Sequence, residues 1–157
     1  MIQDRYVLLV GGRFVEYDEE NQRDIKTPSA QAFLLDTVTE TWSTEPNLNV
    51  ARYAHSSCAN GRFSFVFGGM GPDALNSIER ISHQTQENGQ RAWRTYVIDQ
   101  ITPRRDAFFA CTDHQNILVL GGYSNDTLSD GVIFDADTWN ICDHVSSGEH
   151  SIECDGN

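Results

Sequence analysis

A pair of adjacent glycines closes an apolar run three times in this chain: YVLLVGG ends at Gly11-Gly12, RFSFVFGG at Gly68-Gly69 and NILVLGG at Gly121-Gly122. The doublets start 57 and 53 residues apart, and each is followed by a polar stretch, a second short apolar run and a tryptophan, at Trp42, Trp93 and Trp139. Recurrence at such a period marks a repeat architecture, in which each unit buries its apolar side against the next. Tryptophan to the next doublet is nearly fixed at 26 and 28 residues, whereas doublet to tryptophan shrinks from 30 to 24 to 17, so one loop varies and the rest is framework. The framework extends upstream. Arg52, Ala54 and Cys58 precede Gly68 by 16, 14 and 10 residues, and Arg105, Ala107 and Cys111 precede Gly121 by the same distances.

No stretch has a 3.6-residue apolar period, so the chain reads as all strands, four per repeat. The second repeat is expected to place them at 53–58, 63–67, 75–82 and 92–98, and the third at 107–111, 117–120, 131–134 and 139–142. Before each tryptophan stands an Asp/Ser-x-x-Thr segment, Asp36 to Thr39, Ser82 to Thr85 and Asp135 to Thr138. Its short polar side chain can bond backbone groups two or three residues on and turn a hairpin between the third and fourth strands. Sheets of this kind, arrayed radially, make a β-propeller.

The double glycine, the Asp-x-x-Thr and tryptophan, and the arginine opening the next first strand resemble the Kelch repeat. The resemblance spans nearly the whole chain and departs where Kelch repeats carry a tyrosine before the turn, since Leu35, Ile81 and Phe134 stand there. It implies an all-β, Kelch-type propeller of about three blades in a single domain over residues 1–157, with units near 1–46, 47–99 and 100–145, as a partial or open ring. Close backbone approach at the glycines and sealing of one sheet onto the next by the tryptophans are the expected roles of the repeated residues.

Three units are fewer than the roughly four to eight blades of closed propellers. Residues 146–157, with His150, Ser151 and Cys154, resemble the first strand of a further blade, in phase with the strand ending at Gly11. A homodimer, a part of a longer propeller and a truncated copy without its own function all remain open on that pattern, and a stable closed monomer is not expected.

Asp and Glu number 23 against 11 Lys and Arg, a net charge of −12, so counterion-release binding to nucleic acid and attraction to an anionic membrane are not expected. No run is apolar and long enough for a signal or a membrane span, and four cysteines are too few for a disulfide scaffold, which points to the cytoplasm. Cys58 and Cys111 read as core thiols. The neighbouring histidines, His55, His114, His144 and His150, do not repeat in register, so no metal or other cofactor is expected. The sequon at Asn125-Asp126-Thr127 matters only in a secretory setting.

The loops leaving the second and fourth strands of a blade emerge on one face. Arg13, Tyr17, Arg52, Tyr53, Arg104, Arg105 and Tyr123 fall there, with a variable insert from Val15 to Pro28 whose acidic run is Glu16 to Asp24. Ten arginines against one lysine, Lys26, favour rigid bidentate and stacking contacts, and Arg with Tyr is hot-spot chemistry. Arg13, Arg52, Tyr53, Arg104, Arg105 and Tyr123 are therefore the candidate binding residues for a partner protein or peptide, with Arg52 and Arg105 equally readable as framework. The resemblance points the same way and implies an interaction module, in larger relatives a substrate adaptor. No Gly-x-Ser-x-Gly elbow, phosphate loop or ordered triad appears, so no catalytic residue is assigned. An enzyme of the copper galactose-oxidase or sialic acid epimerase kind, acting at the channel mouth, is the alternative.

Overall fold

The computed structural model describes residues 5–84, 91–111 and 115–145. Within them the chain is all-β, with thirteen strands in four antiparallel sheets. The first sheet has three strands in the order β1-β4-β5, namely Tyr6–Val10, Ala32–Asp36 and Thr41–Glu45. Between its first two strands stands a separate hairpin, β2 (Arg13–Asp18) with β3 (Arg23–Pro28). The second sheet runs β6-β7-β8-β9: Ser56–Ala59, Phe63–Phe67, Ser77–Ser82 and Arg94–Val97. The third runs β10-β11-β12-β13: Phe108–Cys111, Asn116–Leu120, Gly131–Asp135 and Ile141–Val145. No helix among the described residues is long and apolar enough to cross a membrane.

Each sheet is a meander because its turns are chemically specified. Asp36 Oδ1 accepts the amides of Val38 and Thr39 at 3.0 and 3.3 Å, and Asp135 Oδ1 those of Asp137 and Thr138 at 2.9 and 2.7 Å. Ser82 Oγ accepts the Gln84 amide; Thr85 lies outside the described residues. These bonds hold both aspartates below the usual carboxylate range: for Asp36 the Arg5 hydrogen bond is the larger cause, and for Asp135 the Thr138 amide.

Two apolar layers join the three sheets. Leu48, Val66, Ile81 and Trp93 pack with Leu8, Val10 and Ala30 between the first and second sheets. Phe65, Phe67, Ile78, Phe109, Ile117, Val119, Val132 and Phe134 fill the space between the second and third. Trp139 stacks on Tyr96 with centroids 4.0 Å apart, and Arg80 lies over Phe63 and Trp139 at 4.5 and 4.8 Å. Trp93 and Trp139 thus each seal their sheet onto the preceding one. Trp42 does not: it is 56% exposed, together with Val7 and Leu9, on the side of the first sheet away from the second. Trp139 also departs from the expected strand, since it sits in the turn before β13 with φ +65°.

The expected register between the second and third repeats is off by one residue. Arg52 donates to Gly68 O at 2.8 Å, and the residue that donates to Gly121 O, at 3.0 Å, is Arg104 rather than Arg105. Tyr53 bridges Met70 and Arg105 bridges Tyr123, while Ala54 and Asp106 share a left-handed backbone at φ +52° and +54°. The connection from β10 to β11 is one residue longer than that from β6 to β7, so the matching Arg, Ala and Cys spacings equate residues that the fold does not. The insert 15–28 is likewise a paired hairpin rather than a loop, and the strand expected in 146–157 lies outside the described residues.

Candidate functional site

Arg52 and Arg104 stitch neighbouring sheets together. Each side chain is 0% exposed. Arg52 bonds Gly68 O and Ser77 O and pairs with Glu79 at 2.7 Å, while its own carbonyl accepts the Gly12 amide of the first sheet. Arg104 bonds Thr102 O and Gly121 O and pairs with Asp130 at 2.8 Å, while its carbonyl accepts the Gly69 amide of the second sheet. The glycine doublets permit this approach. A Cβ on Gly11 would stand 2.7 Å from Arg52 O, and one on Gly68 would run into Arg104 O, both at φ above +60°. Burial pushes the Arg52 guanidinium below its ordinary range, and the Glu79 carboxylate opposes that shift. With no exposed side-chain atom, Arg52 and Arg104 are framework and drop out of the candidate binding set.

One residue further on, the chain faces solvent. Arg13, Tyr53 and Arg105 line a single cleft of about 720 Å³ with Gly12, Lys26, Ala54, Met70 and Asp106. Arg13 lies over the Tyr53 ring at 5.2 Å, and Arg105 over Tyr123 at 4.6 Å. Arg105 also pairs with Asp106. Among the described residues no carboxylate forms an ion pair with Arg13 or Lys26. A second cavity of about 620 Å³ shares Lys26, Tyr53 and Met70 with the first. Three cations and Tyr53 therefore converge where carboxylates and aromatic or amide groups could be held, while Tyr123 supports Arg105 without lining the cleft itself.

Tyr17 is 62% exposed on β2, away from the residues that line the cleft. Lys26, Met70 and Asp106 were not singled out as site residues from the sequence. Lys26 reaches the cleft because β3 folds back on β2, and the alternation of Val15, Tyr17, Ile25 and Thr27 with polar residues could have signalled that hairpin. Met70 occupies the place after a doublet that Arg13 and Tyr123 occupy in the other two repeats. No group of three or more His, Cys, Asp or Glu side chains among the described residues is placed to hold a metal ion. No family model matches the chain, and no curated protein matches it.

Proposed function

We propose that the three larger sheets are blades of a Kelch-type β-propeller and that the loop-face cleft captures an acidic or polar segment of a partner protein. The observation that carries this reading is the convergence of Arg13, Lys26 and Arg105 beside Tyr53 in a chain of net charge −12. At physiological ionic strength the screening length is about 8 Å, so a carboxylate in the cleft feels the cations it touches more than the distant acidic surface. The stitching of successive sheets through Arg52 and Arg104 and the repeated sealing by Trp93 and Trp139 support the radial arrangement. In that arrangement the side of the first sheet carrying Val7, Leu9 and Trp42 is where a further blade would stack.

The test is selection of twelve-residue peptides displayed on phage against the immobilised chain, followed by fluorescence anisotropy on the enriched sequences. Enrichment of Asp- or Glu-containing peptides is expected, with Arg13→Ala and Arg105→Ala each weakening binding by about 1–3 kcal/mol and leaving the melting temperature within a few degrees. Enriched peptides that are apolar throughout, or binding unaffected by both substitutions, would overturn the assignment.

A further inference from the structure

Strands β6 and β10 belong to different sheets yet lie side by side, and they bring Cys58 and Cys111 together with their Sγ atoms 2.8 Å apart. Unbonded carbon atoms rest at about 3.5–4.0 Å and sulfur is larger, so this spacing is intermediate between contact and the roughly 2.05 Å disulfide bond. The strands are held at this approach on the N-terminal side of the pair. Asp106 N donates to Ala54 O at 3.0 Å, Ser56 Oγ bonds Ala107 O, and Phe67 stacks on Phe109 at 5.6 Å. Both cysteines are half-buried, and Cys58 borders a cavity of about 290 Å³ shared with Leu8, Ser57, Phe65 and Trp93.

We infer that Cys58 and Cys111 form a redox-active thiol pair that a low-molecular-weight disulfide oxidises to a covalent link between the second and third sheets. The sequence alone reads these cysteines as two inert core thiols, but a pair already in contact needs only a small movement to bond. With glutathione disulfide as oxidant the reaction balances in two exchanges. The Cys58 thiolate attacks one glutathione sulfur and releases one glutathione thiolate, leaving a mixed disulfide at Cys58. The Cys111 thiolate then attacks the Cys58 sulfur and releases the second glutathione; the two cysteine protons end on the two glutathiones. The hydrogen bond with Cys111, and then burial, push the Cys58 thiol above its usual range, which makes the first exchange slow at neutral pH and faster under alkaline conditions. The link closes a loop of more than fifty residues, so it removes substantial freedom from the unfolded chain.

The experiment uses the full chain carrying Cys142→Ser and Cys154→Ser, reduced, then incubated with glutathione disulfide at mildly alkaline pH. Thiol titration in denaturant should fall from two thiols to none. Peptide mapping should recover Cys58 joined to Cys111 in one chain, and the melting temperature should rise on the order of 10 °C, reversed by dithiothreitol. Peptide mapping of the wild-type chain gives the same readout if the double variant does not fold. Persistence of both thiols, a glutathione adduct that does not resolve, or links only between chains would overturn the inference.

Discussion

Arg52→Ala should be among the most damaging single substitutions in this chain, although Arg52 sits one residue from the cleft-lining Tyr53. The change removes a guanidinium that is 0% exposed and leaves Glu79, also 0% exposed, without its cation. Removing one partner of such a pair costs about 3–5 kcal/mol, because the remaining charge stays buried. Glu79 keeps the amides of Asn49 and Val50 at 2.6 and 3.1 Å, which offsets part of the loss, but Gly68 O and Ser77 O also lose their donor. A net cost of about 4 kcal/mol corresponds to roughly 8–16 °C in melting temperature for a chain of this size. Arg104→Ala should cost clearly less, about 2 kcal/mol, because Asp130 is 51% exposed and water can take over its solvation. Both values come from urea titration followed by tryptophan fluorescence, with calorimetry as a check on two-state behaviour. If Arg52→Ala melts within two or three degrees of wild type, or if Arg104→Ala is the worse of the two, the buried Arg52–Glu79 pair is not the stronger stitch between the sheets.

Acidification provides a second test. Burial, with the Arg52 charge as the smaller cause, pushes the His55 imidazole down to about 4. The folded value lies below the unfolded one near 6.5, so stability is complete above that pH and falls by up to about 3 kcal/mol as pH drops toward 4. His55→Gln should flatten the melting temperature between pH 7 and 4.5; an unchanged slope would exclude His55 as its source. The low-lying carboxylates of Asp36, Asp130 and Asp135 contribute stability that is lost only at still lower pH, below their unfolded range. Trp93→Ala should cost about 3–5 kcal/mol and Trp42→Ala no more than about 0.5, measured by urea titration. An equally large loss at Trp42 would mean that another sheet covers that face in solution.

Much of the fold was legible because the signals were local and repeated. The glycine doublets, the Asp36 and Asp135 turns and the short apolar-rich runs at β7, β8, β11 and β12 are each set by a few adjacent residues, and the strands fall within a few positions of where those signals put them. What could not be read was register, since a slip of one residue in a strand exchanges its two faces. The Arg104-Arg105 pair hides that slip, because either arginine satisfies the pattern. Cys111 and Ala107 then reinforced the wrong choice by echoing Cys58 and Ala54. The counter-ions differ as well. Glu79 projects from β8, but its counterpart across the sheet repeat is Val132, and Arg104 takes Asp130 from just before β12 instead. No spacing rule links the two solutions, so only the assembled sheets distinguish the buried arginine from the exposed one. The cleft had a similar fate: Arg13, Tyr53 and Arg105 were visible as a class, but Lys26 joins them through a hairpin that its acidic flank obscured.

The same one-residue separation explains how the chain keeps its framework constant while varying its face. Arg52 and Arg104 do identical work, with the guanidinium on the glycine carbonyl of their own sheet and the carbonyl on the glycine amide of the preceding one. The next residue is pinned by a backbone bridge, Tyr53 to Met70 and Arg105 to Tyr123, which asks nothing of its side chain. The residue after that adopts φ near +53° in both repeats, and this turn carries the pinned residue past the sheet edge toward the cleft. Tyrosine stands at that place in one repeat and arginine in the other. The position after the doublet varies in the same way, as Arg13, Met70 and Tyr123. Cation and ring are therefore exchanged between the two sides of the pairing, Arg13 over Tyr53 between neighbouring sheets and Arg105 over Tyr123 within one. The side chains at 13, 53, 70 and 105 that line the cleft, and the ring at 123 beneath Arg105, can thus vary without touching the bonds at 52 and 104 that keep the sheets together.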